Sequence, residues 1–519
     1  MIRPILGRQL FVLSLVAALT SCGGGGGGGG TTQPPVTGGQ FQAGVFEASS
    51  AFFNQCASPV PAGQNTQTND PYGSGSTTAE NNWLRSWSNE LYLWYDEIDD
   101  QNPENFSTEE YFELMKTEAL TASGNPRDQF HFSIPTPEWL ESSESGVVAG
   151  YGAQFALLST TPPREAAIAY VEPGTPAATA GLARGARILS VDGVDLVNSN
   201  DTDTLNGGLF PAASGETHTF EVQDLGSSTT RSVMLTSAEI TTTPVQNVSV
   251  INTGTGPVGY LTFNDHIRPA ENQLIAAVNQ LAAANINDLV LDVRYNGGGF
   301  LFIASQLAYM IAGNAATNGR AFESLSFNDK NPDTDPVTGS ALEPIPFYNT
   351  STEDAPLPSL NLPRVFVLTG SSTCSASESI INSLEGVGVQ VIQIGSTTCG
   401  KPYGFYPTDN CATTYFSIQF RGENDAGFGD YPDGFSPQNA SETGSVSLPG
   451  CAVGDDFNAA LGDAAEARLA AALQYRNSGS CPTASVVSDS SSPERANATL
   501  QGPMNVKTPK PAWLENRLM

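Results

Sequence analysis

The stretch "RVFVLTGSSTCSASESIINSLEGVGVQVIQIG", residues 364–395, decides the fold. An apolar run, "RVFVL", gives way to a cluster of serines and threonines. A helix-periodic segment, "SASESIINSLEGV", follows, and then a second apolar run, "VQVIQIG". Two apolar runs separated by a helix predict a βαβ unit. Its surroundings repeat the alternation. "PVGYLTF" reads as a strand, "PAENQLIAAVNQLAAANI" as a helix, "DLVLDVR" as a buried strand, and "FIASQLAYMIAG" as a helix entered through "NGGG". "TTYFSIQFR" reads as a further strand, and "DDFNAALGDAAEARLAAALQYR" as a closing Ala-rich helix. Residues 241–478 are therefore expected to form a sheet flanked by helices.

The hydroxyl cluster has a structural and a chemical reading. Ser375-Ala-Ser-Glu378 is an S-x-x-E capping box, which is a sufficient reason for a serine at that place. A hydroxyl at a strand–helix junction also lies beside a helix N-terminus, whose backbone N–H groups can stabilise a developing oxyanion. A nucleophilic serine needs a base. The chain has three histidines, His131, His218 and His266, and only His266 falls in the sheet region. No G-x-S-x-G elbow surrounds Ser375. Of the five lysines, only Lys401 lies at the end of an apolar strand, among glycine, proline and aromatic residues. Burial disfavours the charged ammonium, so such a lysine can act as a base. A solvated turn lysine is the plainer alternative. "DVRYNGGGF" places three glycines after a buried strand, which allows close backbone approach and a second oxyanion donor, or simply a tight turn. Neither G-x-x-x-x-G-K-[ST] nor a strand-following G-x-G-x-x-G is present to cradle a nucleotide.

The rest of the chain sets the context. Its 519 residues exceed one core, and a net charge of −31 makes nucleic acid an improbable partner. Residues 1–22 carry Arg3 and Arg8, a short apolar segment and "LTSC". This resembles a lipoprotein signal peptide, with Cys22 as the lipidated first mature residue. Gly23 after that cysteine resembles outer-membrane sorting, so the expected location is the bacterial envelope, lipid-anchored and facing the periplasm. Eight glycines, Gly23–Gly30, open a flexible tether expected to run to residue 80. Residues 81–135 read as helical, with Trp83, Trp87, Leu91 and Trp94 at core-packing spacing and a capping box at Ser107–Glu110. Residues 136–240 turn to short strands. There "VEPGTPAATAGLARGARILSVDGVDL" resembles a PDZ domain, whose carboxylate-binding loop would fall at Tyr151-Gly152-Ala153. Residues 479–519 are Ser/Pro/Thr-rich and read as a low-order tail. The six cysteines after Cys22 suggest disulfides in an exported chain, with Cys399–Cys411 and Cys451–Cys481 the favoured pairs. There is no CxxC or HExxH to argue for zinc.

"DVRYNGGG", "SASE" and "CGK", behind a PDZ-like module, together resemble the tail-specific, or carboxyl-terminal processing, serine peptidases. The resemblance covers about 81–478 and implies a mixed α/β, multidomain chain. A helical N-terminal region and a β-rich PDZ-like domain would precede an α/β peptidase core. It implies Ser375 as nucleophile and Lys401 as general base, with the amides of Ala376 and a glycine of 297–299, Gly298 foremost, as the oxyanion hole. The implied substrates are proteins or peptides with a free C-terminus, and no cofactor is implied. One departure stands out. Many members carry a Gln four residues after the lysine, where this chain has Phe405. That keeps open a non-catalytic, peptide-binding scaffold with a peptidase-like core, and more distantly an esterase or amidase. Cys374 and Cys399 adjoin the two catalytic positions, so a disulfide at either would bear on the site.

Overall fold

Why the central strands pair in parallel is plain from their composition. "DLVLD" is buried at every position, so both of its faces must be covered. In the computed structural model, which describes residues 41–59, 73–440 and 442–482 and the short backbone pairings at Arg495–Ala496 and Asn516–Arg517, it lies inside a six-stranded sheet. The order is Val245–Thr253, Gly256–Phe263, Asp288–Asp292, Arg364–Thr369, Gln390–Gly395, Gly450–Ala452. The first pair is antiparallel and the other four pairings are parallel. Alternate residues supply the two cores. Leu289, Leu291, Val365 and Val367 pack with the helices Ala270–Ala283, Leu301–Ala312 and Ala376–Gly386. Val290, Phe366 and Leu368 pack with Leu469 and Ala472 of the helix Ala467–Ser478. The whole belongs to one unit beginning at Ala43.

The PDZ-like module has its own core, built from residues such as Phe155, Ile168, Leu205 and Phe220. Its antiparallel strands run Arg231–Thr236, Thr217–Gln223, Arg187–Val191, Glu165–Val171, Ala153–Ser159. Toward the N-terminus, helix Thr77–Leu91 is capped by Ser76, whose Oγ accepts from Ala79 N–H at 3.2 Å. On it Trp83 and Trp87 stack at 5.1 Å, and Trp83 meets Tyr415 of the peptidase-like core at 5.5 Å. Trp94 lies beyond the end of this helix and packs edge-on against Tyr403. The Ser107–Glu110 capping box is formed.

Several expectations need correction. Residues 41–59, read as tether, carry a 3-10 turn and Cys56, which is bonded to Cys411. Cys399 is bonded to Cys374, so the expected Cys399–Cys411 pair is replaced, whereas Cys451–Cys481 is formed. The closing helix starts at Ala467, not near 455. Its expected first turns are drawn away by a buried cation: Arg294 donates to Asp292 (2.9 Å), Asp455 (2.6 Å) and Glu466 (2.8 Å). Glu466 then caps the shortened helix, accepting from Leu469 N–H. Burial alone would raise the Asp455 carboxyl, but Arg294, Arg468 and Arg184 hold it well below the usual carboxylate range. Arg184 reaches this cluster from the PDZ-like module and also donates to Tyr295 Oη at 2.6 Å. The expected signal peptide with Cys22, the glycine run and most of the expected tail lie outside the described residues. Among those described, no helix is long and apolar enough to cross a membrane.

Replacing Arg294 by alanine leaves Asp292, Asp455 and Glu466 buried without their shared cation. A loss of about 3–5 kcal/mol is expected. It is read as a lower urea midpoint, and an unchanged midpoint would refute the network's structural role.

Candidate active site

The Arg364–Thr369 and Gln390–Gly395 strands are parallel neighbours, with Thr369 opposite Gly395. The segments that leave their C-terminal ends carry Ser375 and Lys401, so both reach the same end of the sheet. Ser375 sits immediately before the helix Ala376–Gly386 with φ 58° and ψ −121°. A side-chain-bearing residue adopts such backbone angles only when its surroundings over-determine them. Those surroundings are specific. Thr373 Oγ1 donates to Val293 O at 2.8 Å, Cys374 N–H to Asn296 O at 3.2 Å, and Ser377 Oγ to the same carbonyl at 3.1 Å. Ser375 N–H donates to Glu378 Oε2 at 3.0 Å, which is one half of the capping box expected from S-x-x-E.

Glu378 does more than cap. Its Oε2 also accepts from Lys401 N–H at 2.8 Å, and its Oε1 from Gly400 N–H at 2.9 Å and Thr398 Oγ1 at 2.5 Å. One fully buried carboxylate thus holds the serine turn and the lysine loop on a single oxygen. Burial pushes its carboxyl up, against the hydrogen bonds from Thr398, Lys401, Gly400 and Ser375, which favour the charge. The Cys374–Cys399 disulfide joins the same two segments covalently, with the Cα atoms 5.1 Å apart. Lys401 is fully buried. Its Nζ lies 4.1 Å from the centre of the Phe405 ring and 5.0 Å from that of Phe130. The position where a Gln was expected therefore offers the amine a π face.

The glycine loop completes the site. Asn296 donates from Nδ2 to Phe263 O and accepts at Oδ1 from Gly298 N–H, both at 2.9 Å. His266 Nδ1 lies 2.9 Å from that same Oδ1 and, facing an acceptor, carries the proton. Burial holds the imidazole neutral, its pKa pushed down to about 3. Gly299 has φ 140°, and a Cβ there would stand 2.6 Å from His266 O, so only glycine fits. The amide of Gly298, expected as an oxyanion donor, is committed to Asn296. It would have to leave that side chain to serve a substrate. Ala376 N–H belongs to the first turn of its helix, where no preceding helical carbonyl takes the donor.

The other expected residues fall as follows. Tyr151 is a core residue of the PDZ-like module, its hydroxyl donating to Gly208 O at 2.9 Å. Gly152 has φ 74°, and a Cβ there would collide with Thr175 at 2.4 Å. Ala153 begins the Ala153–Ser159 strand. His131 is buried, with Nε2 2.8 Å from Phe112 O, and His218 pairs with Asp192 in the PDZ-like module. The described residues bring two Cys/Glu groups close enough to hold a metal, Cys56-Glu80-Cys411 and Cys374-Glu378-Cys399, and in each the sulfurs are already joined to one another.

Comparison with known proteins bears on the fold and the family likeness. Residues 257–405 match the model of peptidase family S41, and residues 168–205 match that of the PDZ domain. A carboxyl-terminal-processing protease of Picosynechococcus sp. is 29% identical over 274 residues, which is 50% of this chain and 56% of the relative. The chain thus spans a little over half the length of that curated relative. A solved structure described as an S41 protease from Bacteroides fragilis superposes with a TM-score of 0.59 at 22% identity. It covers 77% of this chain and 97% of that one, a likeness of fold. The mixed α/β core with a PDZ domain before it is thereby established.

Behind the Ser375 helix, fully buried Glu323 accepts from Ser379 Oγ at 3.2 Å. Burial pushes its carboxyl up to about 8 from the ordinary 4.5. The folded chain therefore keeps a proton that the unfolded chain releases near pH 4.5. The associated stability is fully present below that pH and is lost as pH rises toward 8. Glu323→Gln should abolish this loss. Urea midpoints at pH 5 and pH 9 are expected to differ less in the variant than in the wild type, and equal pH dependence would refute the assignment.

Proposed function

We propose that this chain is a serine endopeptidase of the bacterial envelope that cleaves proteins or peptides through a Ser375–Lys401 pair and selects them by their C-terminal tails. The observation that carries the reading is the shared Glu378 oxygen, which anchors the backbone of the serine turn and of the lysine loop together. In the proposed mechanism the neutral amine of Lys401 removes the Ser375 hydroxyl proton as Oγ attacks the substrate carbonyl. The tetrahedral oxyanion is met by the Ala376 amide and by an amide of the glycine loop. Collapse expels the amine product, which takes its proton from Lys401, and leaves an acyl-serine. Water, deprotonated by Lys401, then releases the carboxylate and restores the serine.

The glycine loop leads within two residues to a cavity of about 470 Å³, whose lining includes Leu301, Phe302, Leu325, Tyr348 and Tyr406. Gln306, Asp335 and Glu343 line it as well, and we propose it as the place for part of the substrate chain. The Ala153–Ser159 strand, entered through Gly152, is the one to which a substrate tail would add as a further strand, along the side where Arg495–Ala496 pairs with Leu157 and Ala156 and would have to give way. Cys22 and the glycine run that follows it would tether the peptidase to a membrane by lipid, facing the periplasm and on the outer membrane. The committed Gly298 amide and the ring at Phe405 are the features that favour the rival reading, a peptide-binding scaffold without catalysis.

The assay uses an unfolded casein-type substrate. Ser375→Ala and Lys401→Met are each expected to lower kcat by about 10³-fold or more. Cleavage at the wild-type rate by either would end the Ser–Lys reading, and tail binding without cleavage by the wild type would establish the scaffold. Peptides ending in a free carboxylate are expected to bind at least about tenfold more tightly than their C-terminal amides, because nested N–H groups recognise the charge. Equal affinity would remove tail selection.

A further inference from the structure

We infer that the Cys374–Cys399 disulfide positions Ser375 against Lys401, so that peptidase activity depends on this bond being oxidised. The inference rests on the Ser375–Lys401 reading. Cys374 immediately precedes the proposed nucleophile, and Cys399 lies two residues before the proposed base. The bond spans 25 residues of sequence and closes a loop that leaves one strand at Thr369 and returns along its neighbour to Gly395. Beyond those strand ends the two segments are tied by Cys399 N–H to Thr373 O at 3.0 Å and by the Glu378 carboxylate. The covalent bond is the one tie among these that cannot exchange with water. It also fixes the residue next to Ser375, whose φ of 58° must be held from outside. Lys401 has ring faces at Phe405 and Phe130, an attraction with little directionality. Cys399 lies two residues before Lys401, so the closed bond also limits where the lysine backbone can lie.

The other two disulfides are differently placed. Cys56–Cys411 fastens the N-terminal segment, and Cys451–Cys481 joins the sheet's last strand to the chain beyond the final helix. Neither includes a residue next to the proposed dyad.

Reduction has a balanced route. A thiolate of a dithiol reductant attacks Cys399 Sγ, which is half-buried, whereas Cys374 is fully enclosed. Cys374 leaves as thiolate and takes a proton. The reductant's second thiol then displaces Cys399, so the protein gains two electrons and two protons and the reductant becomes its own disulfide. The freed sulfurs separate to non-bonded contact and face the Glu378 carboxylate, whose ligand atom lies within 4.8 Å of both. A displacement on the order of 1 Å at reacting groups can cost about 10²-fold in rate.

The test uses the full chain in EDTA, so that the freed thiols and Glu378 do not collect metal. The double variant Cys374→Ser/Cys399→Ser, with both other disulfides intact, is expected to lose about 10²-fold in kcat. Its KM should stay within about twofold, and its kcat–pH profile should be displaced as the amine's surroundings change. Cys451→Ser/Cys481→Ser serves as control, expected to lower Tm while kcat and the pH profile stay at wild-type values. If the Cys374/Cys399 variant does not fold, native wild type is treated with dithiothreitol until mass spectrometry shows that bond open, then reoxidised with glutathione disulfide. Loss of kcat on opening and its return on reclosure support the inference. Wild-type kcat and pH profile with the bond absent or open, while Ser375→Ala is inactive, overturn it alone. Wild-type cleavage by Ser375→Ala overturns the Ser–Lys reading and this inference with it.

Discussion

The site depends on one buried carboxylate. Glu378 is fully enclosed and accepts from the backbone of Ser375, Gly400 and Lys401 and from the hydroxyl of Thr398. An unsatisfied carboxylate at that depth would be prohibitively costly, so its demand for donors dictates where two loops may lie. The parallel strands bring those loops to the same end of the sheet. The carboxylate sets their spacing. The helix that carries it supplies its own N-terminal amides, so the element that orders the loops also creates the favourable potential for a developing negative charge.

Asn296 plays a matching part on the other side. It links the carbonyl of Phe263, the imidazole of His266 and the amide of Gly298, and its own carbonyl receives Cys374 N–H and Ser377 Oγ. The glycine loop and the serine turn are therefore coupled through one residue. Further along the same strand end, Arg294 and Tyr295 meet Arg184 of the PDZ domain around Asp455. A rigid-body shift of the PDZ domain would pull on the residues that immediately precede Asn296.

Much of this was legible in the residues. Alternating apolar runs and helices gave the sheet, because burial on both faces forces continuous hydrophobicity. The S-x-x-E spacing located Glu378 as a cap. What spacing could not reveal was its second role, since backbone N–H groups 22 and 23 positions away leave no trace in residue type. The hydrogen bond from the Gly298 amide to Asn296 was hidden for a related reason. Asn-x-Gly is a local side-chain-to-backbone pattern, and the glycine run masked it. Disulfide partners depend on distance in three dimensions, so Cys56, in a stretch that reads as tether, was passed over as the mate of Cys411. The closing helix began late because Asp455 and Glu466, acceptable in a helix by propensity, are claimed by a cation that sequence proximity does not connect to them.

The Cys56–Cys411 bond spans 355 residues and so sets a load path. Tension applied upstream of residue 44 first loads the hydrogen bonds that join Gly44 to Asp100, Val45 to Arg85 and Ser49 to Glu90, and so reaches helix Thr77–Leu91. Past those bonds the covalent path enters at Cys411, in the turn between strands Thr408–Asn410 and Thr413–Phe416, whose Thr413–Phe416 member pairs with Phe132–Pro135. A body hung from its leading end in this way is gripped at helix Thr77–Leu91 and again at Cys411, and the PDZ domain lies off the covalent path between them.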